Sequence, residues 1–217
     1  MVTFYLATLF PKIFDGVLSQ SMLHKARKLG LVDIKVIDIR DFGLGKRHQV
    51  DDTPYGGGDG MLLMIEPLFN LIKSVKEKSS NQISVLLPSP RGKSYLQSDA
   101  LRLSKSTNDY LIICPRYEGY DDRLIRYIDE TFSIGNYVLT GGEIPAMIMV
   151  DSITRLIPGV LGGETSAEIE SFADDKTREF PQYTRPEKFD RQSVPKVLLT
   201  GNHKQIEVWR HSMMLKD

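Results

Sequence analysis

Apolar residues along this chain recur at two spacings, and the switches between them mark out strands alternating with helices. Val2–Leu9 reads as an apolar opening strand. Over Ser21–Leu29, Met22, Leu23, Ala26 and Leu29 fall at helical spacing. Ile34–Ile39 alternates and predicts a strand, and Glu66–Val75 predicts a helix carrying Leu68, Phe69, Leu71, Ile72 and Val75. Ile83–Leu87 reads as a short buried strand ending at Pro88-Ser89-Pro90. Ser98–Ser104 predicts a helix capped by Ser98 and Asp99, Tyr110–Cys114 another apolar strand, and Asp121–Ile128 a helix with two aspartates at its start. Phe132–Ile134 and Tyr137–Leu139 have strand character. Glu143–Ile157 predicts a long helix that is apolar on nearly every side (Ile144, Met147, Ile148, Met149, Val150, Ile153, Leu156, Ile157). Such a helix is buried in a core or against a second subunit.

This alternation predicts an α/β domain with a parallel sheet over residues 1–160. Inside it, Asp41–Gly60 is loop-like and holds six glycines. The texture then changes. Gly159–Ser171 is rich in Gly, Ser, Thr and Glu without an apolar period, and residues 161–172 are assigned as a linker. Residues 173–217 form a small second region closed by a helix over His203–Leu215.

Composition narrows the function classes. With 217 residues and 41% hydrophobic content the chain can bury a real core. Net charge is zero, so overall charge says nothing for nucleic acid. Residues 173–217 nevertheless carry a net of +2 and the rest −2, which points any RNA contact to the C-terminal part. Cys114 is the only cysteine, which excludes an internal disulfide and a cysteine zinc cluster. The N-terminus lacks the order of a signal peptide, and no apolar run approaches the roughly 20 residues that span a bilayer. The expectation is a cytoplasmic, soluble protein without a membrane partner.

Several motifs fail. Gly92-Lys93-Ser94 follows a strand, but a P-loop needs glycine where Leu87 stands. No G-x-G-x-x-G follows a strand, and His24, His48, His203 and His211 show no metal spacing. The segment Ser133–Met147 is more informative. Gly141 and Gly142 permit close backbone approach, Glu143 sits in the first turn of a helix, and Pro145 suits its start. Read alone, the segment either holds a flat ligand on main-chain groups or is a βα turn with a glycine pair for packing.

Four segments read together decide more. They are Val50–Met61 (VDDTPYGGGDGM), Cys114–Gly119 (CPRYEG), Ile134–Met147 and Pro181–Glu187 (PQYTRPE). With Ser152–Gly162 and Leu199–His203 in order, the chain resembles the bacterial tRNA (guanine-N1)-methyltransferases of the SPOUT superfamily, from about Thr8 to Trp209. The resemblance implies an α/β fold with a parallel sheet and a deep C-terminal trefoil knot, plus a small, mainly helical C-terminal domain. It implies S-adenosyl-L-methionine as cofactor, the anticodon stem-loop of tRNA as substrate, methylation at N1 of guanosine 37, and a homodimer with composite active sites. Two rivals share these residues: another SPOUT RNA methyltransferase, and a catalytically weak RNA-binding homologue.

By the same resemblance, cofactor contacts fall to Leu87, Pro88, Ser89, Pro115, Glu118, Ile134, Gly135, Asn136, Tyr137, Val138, Leu139, Gly141, Gly142 and Pro145. Arg155 is the functional arginine, and Glu170 takes the place of the family's catalytic aspartate with one extra methylene. Pro115 stands where the family usually has glycine, so a cofactor contact there must use its carbonyl or ring. Asp51 and Asp52 belong to the substrate side, and Arg185 and His203 to the tRNA contacts. The chain also ends earlier than family members usually do, which implies a reduced C-terminal helical portion. Magnesium is a candidate helper for a phosphate-rich substrate, although the sequence shows no metal site.

Overall fold

The computed structural model describes residues 1–161 and 170–216, which divide into two compact units, Met1–Gly162 and Gly163–Asp217. The first unit is built on a five-stranded sheet of β1 (Val2–Thr8), β2 (Val32–Asp38), β5 (Ile83–Ser94), β6 (Asp109–Ile113) and β7 (Glu130–Ser133). Its order is β2-β1-β6-β5-β7 and every pairing is parallel. The short strands β3 (Asp51–Asp52) and β4 (Leu62–Leu63) pair with each other beside it.

Parallel strands buried on both faces need apolar side chains at both parities. In β6, Tyr110 and Ile112 enter one core while Leu111 and Ile113 enter the other. In β5, Leu86 joins the first and Val85 and Leu87 the second. The first core also takes side chains from α1 (Asp15–Leu18), α2 (Ser21–Lys28), α4 (Gln97–Ser104) and α5 (Glu143–Thr154). The second takes Leu68, Leu71, Ile72 and Val75 of α3 (Ile65–Lys78). Helices on both faces of a parallel sheet are what the alternating pattern required.

Two sequence expectations change here. β5 does not end at Pro88. Phe132 of β7 is matched first to Pro88 and again to Lys93, so Ser89–Gly92 form an excursion between two stretches of one strand. Proline has no N–H to donate, and an excursion is where a strand can do without one. Tyr137–Leu139 is not a strand, and no strand among the described residues pairs with it. Smaller shifts have local causes. Asp121 lies just before a 3-10 turn, Asp122–Tyr127, and its side chain accepts from Arg123 N. Asp99 reaches back to Leu96 N from inside α4 rather than capping it from outside. α5 stops at Thr154, and its apolar surface divides. Ala146, Met149, Val150 and Ile153 are buried, while Ile144 and Ile148, one turn apart, stay 49% and 40% exposed.

The second unit contains α6 (His203–Met213), the antiparallel pair β8 (Thr177–Arg178) and β11 (Leu215–Lys216), and the hairpin β9 (Lys188–Phe189) to β10 (Gln192–Ser193). Asp190 and Arg191 at the hairpin tip both have positive φ, as a two-residue primed turn demands. Asn202 caps α6 through Gln205 N, Tyr183 packs near Trp209, and Arg210 covers the Phe180 ring at 4.9 Å. Among the described residues of this unit none is buried. Most of the expected linker 161–172 lies outside the described residues.

The excursion in β5 yields a paired test. A Cβ on Gly92 would stand 2.5 Å from Phe132 N, whereas one on Gly16 in α1 would meet nothing within 4 Å. Gly92→Ala should therefore destabilise the protein by about 1–3 kcal/mol in urea denaturation followed by circular dichroism, and Gly16→Ala should be neutral or mildly stabilising. Equal effects at the two positions would contradict the close approach.

Candidate active site

Open parallel sheets bind ligands outside the carboxyl ends of their strands. A cavity of about 220 Å³ lies at those ends of β5, β6 and β7. Three segments wall it. The excursion of β5 supplies Pro88, Ser89 and Pro90. The turn after β6 supplies Pro115–Gly119, closed by Gly119 N donating to Arg116 O (3.1 Å) with Tyr117 in the left-handed region. The third wall is the ribbon that runs from Phe132 to Gly142, followed by Pro145.

The ribbon owes its shape to close contacts. At Gly135 (φ +151°) a Cβ would collide with the Tyr137 ring at 2.4 Å. Tyr137 donates its hydroxyl to Ile134 O (3.1 Å), and Ser133 donates to Gly135 O (3.2 Å). At the far end Gly142 N donates to Pro115 O at 2.8 Å. A Cβ on Gly142 would stand 2.4 Å from Pro115 Cδ and 2.7 Å from Cys114 Cα. The Pro115 carbonyl is thus engaged by Gly142, which leaves its ring surface for a ligand.

A buried charge lies under this junction. Glu143, 1% exposed, opens α5, where the helix dipole favours a carboxylate. Thr8 Oγ1 donates to its Oε1 at 2.7 Å. Arg116 Nε donates to Oε1 at 3.0 Å and lies 2.9 Å from Oε2, which receives no hydrogen bond because the single N–H is aimed at Oε1. Arg116 also donates through Nη1 to Thr140 O (3.1 Å) and lies 4.5 Å over the Phe10 ring.

The glycine-rich loop 53–61 is anchored beside the cavity. Glu118 N donates to Met61 O and Leu63 N donates to Gly119 O, both at 3.0 Å. A Cβ on Gly60 would meet Glu118 Cγ at 2.6 Å, so glycine there lets Glu118 pack. Asp51 and Asp52 form β3 at the base of the loop, and Tyr55 near its tip is fully exposed.

Most of the expected cofactor residues line this one cavity. Leu87 and Asn136 do not: Leu87 is buried in the core, and Asn136 is absent from the lining. Sequence reasoning passed over Arg116, Tyr117, Phe132, Ser133 and Thr140, which line it too. Each lies within or next to a segment singled out by its motif. Arg155 sits at the C-terminal cap of α5 and is partly buried. Glu170, Arg185 and His203 belong to the second unit, where Glu170 is partly buried and the other two are exposed.

A family model described as tRNA (Guanine-1)-methyltransferase TrmD matches residues 2–217. The chain belongs to this family. Its relatives include the tRNA (guanine-N(1)-)-methyltransferase of Staphylococcus carnosus (strain TM300), 48% identical over 209 residues, with 96% of this chain and 84% of that one covered. The protein of the same name from Staphylococcus aureus (strain JH9) is 47% identical over 210 residues, with the same coverage. Among solved structures, the tRNA (m1G37) methyltransferase from Aquifex aeolicus superposes with a TM-score of 0.81 at 36% identity, covering 98% of this chain and 89% of that one. In this member of the family two of the three cavity walls, the turn Pro115–Gly119 and most of the ribbon, come from the sequence segments that carried the resemblance.

The Gly142 junction admits a direct test. Gly142→Ala must drive a methyl into Pro115 and the Cys114 backbone, neither of which can swing aside. The thermal unfolding midpoint should fall by roughly 2–12 °C, as a core overpacking of about 1–3 kcal/mol implies. A midpoint unchanged within error would show that the two segments can part freely.

Proposed function

We propose that this protein transfers the methyl group of S-adenosyl-L-methionine to N1 of guanosine 37 in tRNA. The observation that carries the reading is the cavity between Pro88–Pro90, Pro115–Gly119 and the ribbon through Pro145, in a chain of this family. Its walls include four glycines, four prolines and the aliphatic Ile134, Val138 and Leu139. Such walls suit a flat heterocycle read by backbone donors and acceptors. Gly135, Gly141 and Gly142 in the ribbon would crowd their neighbours if they bore a Cβ. When bound, S-adenosyl-L-methionine supplies an electrophilic methyl on a sulfonium. A trefoil knot formed by the ribbon belongs to this reading, and the Gly142 to Pro115 approach supports it.

The protein's own part is to hold the base and move one proton. Guanine N1–H is weakly acidic, and negative charge gathers on O6 as the proton leaves. A guanidinium directed there stabilises the transition state more than the ground state, which is the role given to Arg155. Glu170 accepts the proton. Asp174, another carboxylate close by in sequence, is a poor choice. Its oxygens accept from Thr177 Oγ1 (2.7 Å), Thr177 N (2.6 Å) and Lys176 N (3.0 Å). Those bonds hold its pKa down to about 2, the Thr177 hydroxyl contributing most. A carboxylate so weakly basic has little drive to take a proton at neutral pH.

The remaining partners follow. Arg185, His203 and the basic residues of the second unit are assigned to the tRNA backbone, with Asp51 and Asp52 on the substrate side. A homodimer would cover Ile144 and Ile148, the apolar pair that α5 leaves exposed. Among the described residues no group of three or more His, Cys, Asp or Glu side chains could hold a metal ion, and no step here uses one. No helix among them is long and apolar enough to cross a membrane, and a tRNA substrate argues for a cytoplasmic site of action.

The deciding assay is labelled methyl transfer into a tRNA transcript bearing guanosine or adenosine at position 37. Incorporation should need the guanosine and appear as 1-methylguanosine on nucleoside analysis. Label on a ribose or another base would favour a different SPOUT activity. Glu170→Ala should lower turnover by about a hundredfold or more with cofactor affinity kept, whereas Asp174→Asn should stay within about tenfold. Reversed magnitudes would move the base to Asp174. Ile148→Asp should convert the dimer to monomer in sedimentation experiments, and an unchanged mass would place the interface elsewhere.

A further inference from the structure

We infer that Arg116 is a positioning residue, whose guanidinium ties the far end of the cofactor ribbon to the end of β1 through buried Glu143 and so sets the shape of the pocket. The inference rests on the reading of this cavity as the S-adenosyl-L-methionine site. It concerns a side chain to which neither the motif reading nor the proposed chemistry gives a task.

The ribbon between Ile134 and Thr140 has no regular structure, and Val138 within it is 87% exposed. Its opening is held by local bonds around Ser133, Gly135 and Tyr137. At its far end Arg116 Nη1 donates to Thr140 O while Nε donates to Glu143. Glu143 is in turn fixed by Thr8 Oγ1, which also accepts from Phe10 N at 2.9 Å. Phe10 stacks on the Arg116 guanidinium. One planar group thus joins three points: ribbon, helix start and strand end. Only arginine can do this, because its donors diverge from a rigid fork while its face remains free to stack.

Gly141 fits the same account. A Cβ there would stand 2.4 Å from Arg116 Nε and 2.7 Å from Glu143 Oε2. The missing side chain makes room for the Arg116–Glu143 pair as well as for a ligand. A ligand read by main-chain groups depends on where those groups stand, so loosening Thr140 should weaken cofactor binding through the displaced ribbon.

Arg116→Lys separates positioning from mere stability. Lysine keeps a cation beside the buried carboxylate but cannot also reach Thr140 O and stack on Phe10. The full-length variant should keep its thermal midpoint within about 3 °C of the parent. Its calorimetric Kd for S-adenosyl-L-methionine should rise about tenfold or more. Arg116→Met should lose both. A lysine variant that binds cofactor within about twofold of the parent overturns the inference. So does one that melts as early as the methionine variant, which would make the side chain merely structural. A raised KM for tRNA with unchanged cofactor Kd would overturn it as well, by making Arg116 an RNA contact. Failure of the parent protein to bind S-adenosyl-L-methionine would instead remove the reading of the pocket itself.

Discussion

The close approach of Gly142 to the chain leaving β6 is the constraint on which the rest depends. Gly142 N reaches Pro115 O at 2.8 Å, a separation that no residue with a Cβ could keep without displacing Cys114 or Pro115. That contact decides where α5 begins, and α5 brings Ala146, Met149, Val150 and Ile153 into the core against the sheet. It also decides the course of the ribbon, which must return from the end of β7 to this one point. The cavity is the space the ribbon encloses on its way.

Placing a helix start so deep has an electrostatic consequence. Glu143 is sealed from water, and a buried carboxylate is tolerated only when hydrogen-bonded and paired. The dipole of α5, the Thr8 hydroxyl and Arg116 supply that compensation. Removing a partner from such a pair costs about 3–5 kcal/mol, far more than an exposed pair is worth. By contrast the exposed Arg91–Asp122 and Arg123–Asp121 pairs contribute little to stability. The charges that matter to the site are those the fold has taken out of solvent.

The regular elements were legible because period and burial coincide in them. β1, β6, α2 and α3 lie within a residue or three of where their apolar spacing put them. The sequence was misleading where local preference and tertiary context disagree. Two prolines argued for a strand end at Pro88, yet the strand resumes at Lys93 because Gly92 lets the chain return against Phe132. Tyr137, Val138 and Leu139 have strand-forming side chains, but the ribbon's main chain pairs with no strand among the described residues. The hairpin at Asp190-Arg191 lacks the Asn-Gly signal that marks such turns. Much of the cavity wall was readable through motifs, whereas Arg116 was not, since its importance lies in Thr140, Glu143 and Phe10 meeting around it.

Within the proposed chemistry, hydrogen bonding suits Asp174 to structure and not to proton transfer. Asp174 closes its own turn, accepting from the Thr177 hydroxyl and two successive amides. Every donor it accepts stabilises the charged form and lowers its appetite for a proton. Folding gains from such a residue and proton transfer does not. In that proposal the proton acceptor is Glu170, whose extra methylene moves the carboxyl by about 1.5 Å relative to aspartate. A base on a regular strand would be held off target by such a change, since small displacements are costly when reacting atoms must align. Glu170 instead stands outside any helix or strand, just ahead of the turn that Asp174 closes. Backbone there is free of ladder constraints, so a longer side chain can be matched by a small retreat of the main chain. Asp174 keeps the following turn formed, so the proposal gives the two acids separate tasks close together in sequence.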